Sequence, residues 1–428
     1  MTTPWLFLLV TLVGAAFTVS ALVRGRRMGL LVVPYFFGAW LAGELAIHHI
    51  VWQAIATIAF VYYGALGAWP GWVGLAVTLL SWWGLVKLQG RAAHAPVVFD
   101  TALREVFGSD YRDSVDPATV ADLRAGVSAR RIVRPFKMHA RGIEVTRNVQ
   151  YGDGARRTRL DVYRPAGRRE RCPVLLQVHG GGWVIGQKHQ QGQPLMHRMA
   201  SRGWVCVAPN YRVSPRVTFP DHLIDVKRAL AWIRQHGEEY GADPNFVIVT
   251  GGSAGGHLTS LMGLTMNDPE YQPGFEHVDT SVAACVPFYG VYDFLDRRGL
   301  RGSASMTPFL ERVVMKCSPA DHPERWDKAS PVMRVHADAP PFFVIHGTHD
   351  SLAFIEDARE FVEKLRAVSR NRVAFAELPG AQHAFEVFHS WRSAHAIDAV
   401  CWFVEHVHAA HRTSGTAPSD TAPSHAAV

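Results

Sequence analysis

The stretch Phe246-Val247-Ile248-Val249-Thr250-Gly251-Gly252-Ser253-Ala254-Gly255-Gly256 constrains this chain more than any other. It opens with an apolar, β-branched run of the kind a buried strand needs. His257-Leu258-Thr259-Ser260-Leu261-Met262 then follows a helical pattern, so the chain must turn from strand to helix within the glycines. A turn so tight needs small residues around its centre, because its backbone is strained and other chain passes close by. Ser253 stands at that centre as Gly-x-Ser-x-Gly. Its hydroxyl is raised over the sheet edge at a helix N-terminus, where developing negative charge is stabilised. Taken alone, the stretch fits a nucleophilic serine and a glycine-rich turn without chemistry equally well.

The sequence from Gly142 onward shows what surrounds that turn. Ile143–Val149 and Arg159–Tyr163 read as a pair of antiparallel strands. Val174–Val178, Val205–Ala208, Phe246–Thr250, Ala283–Phe288, Phe342–Ile345 and Val373–Leu378 read as short buried strands. Helical patterns fall between them at Gln193–Ser201, Asp221–His236, Ala254–Met266, Phe354–Val368 and Ser393–His408. Strands alternating with helices predict an α/β fold, a mainly parallel sheet covered by helices on both faces.

Three further loops bear on Ser253. His179-Gly180-Gly181-Gly182-Trp183 directly follows the strand Val174–Val178, and consecutive glycines leave backbone N–H groups free to point at an anion. Acyl transfer needs such donors where a carbonyl oxygen becomes an oxyanion. A serine nucleophile also needs a base, and the base an orienting carboxylate. Asp350 lies just beyond the strand Phe342–Ile345, and His383 just beyond Val373–Leu378. Parallel strands carry all of these loops to one sheet edge. Among 22 histidines a random one is a poor base; His346 and His349 are read as shaping the acid loop, and His179 as bracing the glycine turn. Glu356 is the alternative acid, although it falls inside the following helix. No Gly-x-x-x-x-Gly-Lys-Ser/Thr occurs, which disfavours a phosphate loop.

Together, His179–Trp183, Gly251–Gly255, His346–Asp350 and His383 resemble the hormone-sensitive-lipase type of α/β-hydrolase esterase. Asn210-Tyr211-Arg212 with Phe219-Pro220 and the run from Asp225 to Trp232 is similar to a further segment of that family. The resemblance spans roughly residues 142–410, and the order Ser253, Asp350, His383 is that of the α/β-hydrolases. It implies a serine ester hydrolase with Gly181, Gly182 and Ala254 as oxyanion donors and no metal or cofactor. Acyl transfer to another acceptor, amide hydrolysis, and a non-catalytic receptor on the same fold are the alternatives. The chain departs from the family at its N-terminus, where a cap would stand. A lid is then expected from the long insertion Tyr292–Arg334.

That N-terminal segment is apolar. Pro4–Val23 holds no charge and is long enough to cross a hydrocarbon core of about 30 Å as a helix. Apolar sequence resumes at Met28, continues to about Trp69, and returns from Trp72 to Val86. Seven of the thirteen tryptophans lie in the first ninety residues, in keeping with a membrane segment, residues 1–90, of three or four helices. Arg24–Arg27 and Lys87 with Arg91 share the cytoplasmic side if there are three spans, which puts the domain at 142–411 there too. The resemblance then extends to the membrane-anchored esterases of actinobacteria, with lipid or other apolar esters as substrates and membrane lipids as partners. Glu44 and His48, four residues apart, form a candidate ionisable pair within that segment.

Residues 91–141 read as a connector or lid, and 412–428 as a disordered tail. Basic residues dominate from Arg124 to Arg171, which fits either a face held against anionic lipid or a solvated edge. The net charge of +7 does not imply nucleic-acid binding, since no basic stripe with interleaved aromatics accompanies it. Cys172, Cys206, Cys285, Cys317 and Cys401 form no Cys-x-x-Cys pair, and Cys206 and Cys285 in apolar runs read as buried thiols.

Overall fold

The computed structural model of the chain describes residues 2–25, 31–113, 115, 121, 123, 128–167, 170–301 and 306–415. The expected disordered tail lies outside them from 416 onward, as do Arg26, Arg27, Arg124, Arg168 and Arg169 of the basic clusters.

The chain begins with helices α1 (Thr3–Leu22), α2 (Val32–Glu44), α3 (Ala46–Tyr62) and α4 (Trp69–Ala93). Trp5 meets Trp69 at a centroid distance of 5.3 Å, and Thr18 Oγ1 meets Ser81 Oγ at 2.8 Å, so α1 and α4 run side by side in the same direction. Phe60 packs on Phe7 at 5.3 Å and Gln53 faces Gly14, which sets α3 antiparallel to both. Outward-facing Ile55, Ile58, Leu80 and Trp83 are more than half exposed, an apolar surface that water would not favour. Among the described residues, two helices are long and apolar enough to cross a membrane: Thr3–Leu22 and Trp69–Phe107. The apolar run from Met28 to Trp69 is not continuous helix. It breaks at Leu45, where α2 and α3 meet at 93°.

Helix α5 (Ala95–Phe107) and the short α6 (Ala129–Val133) lead to an eight-stranded sheet. Its elements are β1 (Ile143–Gln150), β2 (Arg159–Pro165), β3 (Cys172–Val178), α7 (Gln193–Ser201), β4 (Val205–Pro209), α8 (Asp221–His236), β5 (Ala242–Gly252), α9 (Ala254–Leu264) and β6 (Ala284–Phe288). Short helical turns follow, including α10 (Pro323–Lys328), then β7 (Phe342–Gly347), α11 (Ile355–Val368), β8 (Val373–Leu378) and α12 (Trp391–Gly415). The strand order is β1-β2-β4-β3-β5-β6-β7-β8; β2 runs antiparallel to both its neighbours, β1 and β4, and the remaining pairs are parallel. This is the α/β architecture expected from the strand–helix alternation.

Period-two alternation divides the core into two layers. Val174, Leu176, Val247 and Val249 face one way, against α8 and α9; Leu175, Phe246, Ile248 and Phe343 face the other, against α7 and α12. Phe99 and Leu103 of α5 join the second layer, so this part of 91–141 is packed against the sheet. Burying each such side chain contributes about 1.5–3 kcal/mol.

Candidate active site

Register brings the loops together. Val178 of β3 pairs with Gly251 of β5, Gly252 with Phe288 of β6, and Gly347 of β7 with Leu378 of β8, so the chain leaves each strand at the same edge. At the centre Ser253 has φ 60° and ψ −123°, a conformation costing a non-glycine residue about 1–3 kcal/mol. Its N–H donates to Phe288 O at 3.0 Å, which holds the turn. The flanking glycines are needed for space. A Cβ on Gly251 would stand 2.5 Å from Val178 O, and one on Gly255 only 2.2 Å from it. Ser253 stays partly exposed while its neighbours are buried.

Asp350 and His383 are in contact. Asp350 is fully buried; its Oδ1 accepts the N–H groups of Leu352 and Ala353, both at 2.8 Å, and its Oδ2 lies 2.7 Å from His383 Nδ1. Burial alone would raise the Asp350 pKa, but His383 and the adjacent His346 hold the carboxyl well below its usual range. His346 Nε2 is 3.3 Å from Oδ2 and 2.8 Å from Ala353 O, so it shapes the acid loop. With Nδ1 committed to Asp350, Nε2 is the His383 nitrogen left for proton transfer. Glu356, the alternative acid, is instead ion-paired with Arg24 at the end of α1, with Nη1 to Oε1 at 2.8 Å.

The glycine turn after β3 packs directly on the serine turn. A Cβ on Gly180 would stand 2.5 Å from Gly252 O and 3.0 Å from Ser253 Cβ. Gly181 and Gly182 adopt φ of 117° and 59°, and Gly181 O accepts the N–H groups of Val184 and Ile185. Among the described residues no hydrogen bond engages the N–H of Gly181 or Gly182. Ala254 opens α9, so its N–H is one of those a helix leaves without an internal partner. His179 is buried, stacks on Tyr211 at 4.3 Å, and has its Nδ1 2.7 Å from Gly180 O; burial lowers its pKa to about 4. It braces the turn as a neutral ring. Trp183 Nε1 donates to His257 Nδ1 at 3.2 Å, and the expected lid segment meets this corner, with Phe294 5.1 Å from the Trp183 ring.

Several residues at the site were not anticipated. The Tyr289 ring packs on His383 at 4.4 Å, and its hydroxyl donates to the buried Glu386. Burial pushes the Glu386 carboxyl up to about 7. A rule that any residue just past a strand end deserves scrutiny would have found Tyr289, which follows β6. On the other side, Phe36 of α2 presents its ring edge-on to His383 at 6.2 Å, and Trp40 Nε1 donates to Ala384 O at 2.9 Å. Glu44 does not pair with His48, because the bend at Leu45 puts them on different helices. Its Oε1 accepts from Arg392 Nη1 at 2.8 Å and its Oε2 from Ser390 Oγ at 2.7 Å, with both charged side chains 1% exposed. His349 lies 3.3 Å from Ala21 O of α1.

A cavity of about 780 Å³ lies elsewhere, at the strand starts beside Cys172, Val205 and Ala242. Ligands of such sheets bind beyond the carboxyl ends, where Ser253 stands. Cys206, Cys285, Cys317 and Cys401 are free thiols, and Cys172, Cys206, Cys285 and Cys401 are buried. Among the described residues no group of three or more His, Cys, Asp or Glu side chains is arranged to hold a metal ion.

Known proteins resemble this chain in sequence and in fold. The family model described as BD-FAE matches residues 160–365. The chain is 44% identical over 356 residues to LipM of Mycobacterium tuberculosis, a probable carboxylic ester hydrolase, covering 82% of each chain. It is 46% identical over 346 residues to the esterase LipC of the same organism, covering 78% of this chain and 85% of LipC. Among solved structures, Esterase B of Lactobacillus rhamnosis superposes with a TM-score of 0.56 at 21% identity, covering 70% of this chain and 99% of that one, a likeness of fold.

Proposed function

The chain belongs to the hormone-sensitive-lipase type of α/β-hydrolase esterases and is a carboxylic ester hydrolase, and from that premise we propose that it works through an acyl-enzyme on Ser253 at a membrane surface. His383 Nε2 takes the Ser253 proton as Oγ attacks the ester carbonyl. Asp350 holds the imidazole and stabilises its protonated form. The N–H groups of Gly181, Gly182 and Ala254 receive the oxyanion, each donor contributing about 3–4 kcal/mol to the transition state. His383 then returns the proton to the leaving alcohol, and an activated water releases the acid. The observation that carries the reading is the 2.7 Å bond between His383 Nδ1 and the buried Asp350, reached from the loops after β7 and β8.

The membrane part of the reading rests on α1 and α4, with the bent pair α2 and α3 counted as a third span whose α2 half lies against the site. Arg24, Lys87 and Arg91 gather at the end nearest the sheet, which favours the cytoplasmic side for the hydrolase. Apolar or lipid esters are the substrates this arrangement suits. Ser253→Ala is expected to abolish turnover of a short p-nitrophenyl ester; retained turnover in the purified variant refutes the assignment. Fluorophosphonate labelling of intact against lysed cells tests the membrane side.

A further inference from the structure

The basic stretch before the sheet closes around a cavity of about 460 Å³. Arg131 of α6, the following Arg134, Lys137 and Arg141, His197 of α7 and His389 line it, and among the described residues no Asp or Glu stands on its wall. Among the described residues Arg131, Arg134, Lys137 and Arg141 have no carboxylate partner; the other basic residues of the protein are often paired, as Arg24 is with Glu356. All four are exposed, and an anion bound among them would offset their mutual repulsion. His197 adds a second sign of a missing ligand. It is 5% exposed, and its buried Nδ1 has no hydrogen-bond partner among the described residues. Burial, with His139, Arg131 and Arg147 nearby, lowers its pKa to about 4, so the ring is neutral and Nδ1 can donate a hydrogen bond. Guanidinium forks beside a neutral donor suit a phosphate group.

The surroundings indicate what carries the phosphate. His389 N–H donates to Pro135 O at 3.0 Å, closing one wall. Phe136 packs on Phe388 at 5.2 Å and Phe388 on Trp40 of α2 at 5.1 Å, while Val133 and Phe136 remain 70% and 65% exposed. Charged donors thus lie behind an exposed apolar rim that continues onto α2, which fits a headgroup with attached tails better than a free ion.

We propose that this cavity binds the phosphate of an anionic membrane lipid, held by Arg131, Arg134, Lys137 and Arg141 with His197 as donor. The proposal rests on the membrane placement described above, and not on the Ser253 mechanism.

Native mass spectrometry of the full chain in detergent tests it, with phosphatidylglycerol, phosphatidylcholine and inorganic phosphate as probes. Retained phosphatidylglycerol adducts are expected in the parent. Arg131→Glu with Arg134→Glu should weaken them at least about tenfold, while Arg216→Glu with Arg312→Glu, the same charge change elsewhere, should not. Turnover of a soluble short ester should persist in both, which shows that they fold and keeps this test separate from the Ser253 reading. Should the first pair lose turnover, the milder Lys137→Gln with Arg141→Gln replaces it under the same criterion. Unchanged retention in the cavity variants, equal loss in both pairs, or equal retention of phosphatidylcholine overturns the proposal. Binding of inorganic phosphate without phosphatidylglycerol overturns the lipid assignment.

Discussion

Arg392→Met tests how the N-terminal helices are joined to the hydrolase body. In the parent, Arg392 Nη1 reaches Glu44 Oε1 at 2.8 Å and Gly43 O at 3.2 Å, and Nη2 reaches Pro379 O at 3.1 Å. Both charged side chains are 1% exposed, so water cannot replace the lost partner. The variant leaves a buried carboxylate with Ser390 as its remaining donor and two carbonyls without theirs. Breaking one side of a buried pair costs about 3–5 kcal/mol. Unfolding entropy near 2.1 cal/mol/K per residue converts that to a fall of roughly 3–6 °C in Tm if the whole chain unfolds together. Glu44→Met alone should also destabilise, whereas the double variant should recover most of the loss, because an apolar pair of similar volume is often neutral. Thermal melts of the four proteins in detergent, followed by tryptophan fluorescence, close the cycle. Single variants within about 1 kcal/mol of the parent, or losses that simply add, would refute the reasoning.

Two other perturbations address the site. Asp350→Asn keeps the side-chain shape but removes the charge facing the His383 ring, so kcat for a soluble ester is expected to fall about 10⁴-fold with little change in KM; a drop under tenfold would show that His383 does not depend on this carboxyl. Glu386, raised by burial from 4.5 to about 7, holds a proton when folded that it has lost when unfolded, so its contribution is full below about pH 4.5 and is lost as pH rises toward and through 7. Tm of Glu386→Gln relative to the parent should therefore climb between pH 5 and 8, by up to about 3 kcal/mol in stability; a difference that does not vary with pH contradicts the buried, protonated carboxyl.

What could be read in the sequence was what is local to a strand and its end. Ser253, Asp350, His383 and the turn at Gly180–Gly182 each follow an apolar run within a few residues, and the parallel sheet does the rest by bringing every strand end to one edge. The contacts that escaped are those in which distant segments decide the outcome. Glu44 and Arg392 are separated by 348 positions, and nothing beside Glu44 announces its partner. At the break at Leu45, just after Gly43, Arg392 takes the Gly43 carbonyl and the Glu44 carboxylate, so the helix end is held by the hydrolase body. Phe99 and Leu103 were readable as helical but not as core, because the strand they cover, β8, lies far along the chain. Tyr289 carries no motif; it matters through the register that sets Gly252 beside Phe288.

The loop from His383 to Arg392 joins these separate parts. His383 bonds to Asp350, Ala384 O accepts from Trp40, and Glu386 accepts from Tyr289. Phe388 packs between Trp40 and Phe136, His389 N–H bonds to Pro135, and Ser390 with Arg392 holds Glu44. Within ten residues the proposed base, the wall of the phosphate cavity and the anchor of α2 therefore share one backbone. A side chain lost from α2 is felt at the His383 ring through one or two contacts, not through the whole sheet. The position of α2 follows from the same geometry: with Tyr289 on one side of His383 and Phe36 on another, the imidazole works in a surrounding of rings where its ion pair with Asp350 is weakly screened. In this chain part of that cover comes from α2, a helix tied to the apolar bundle.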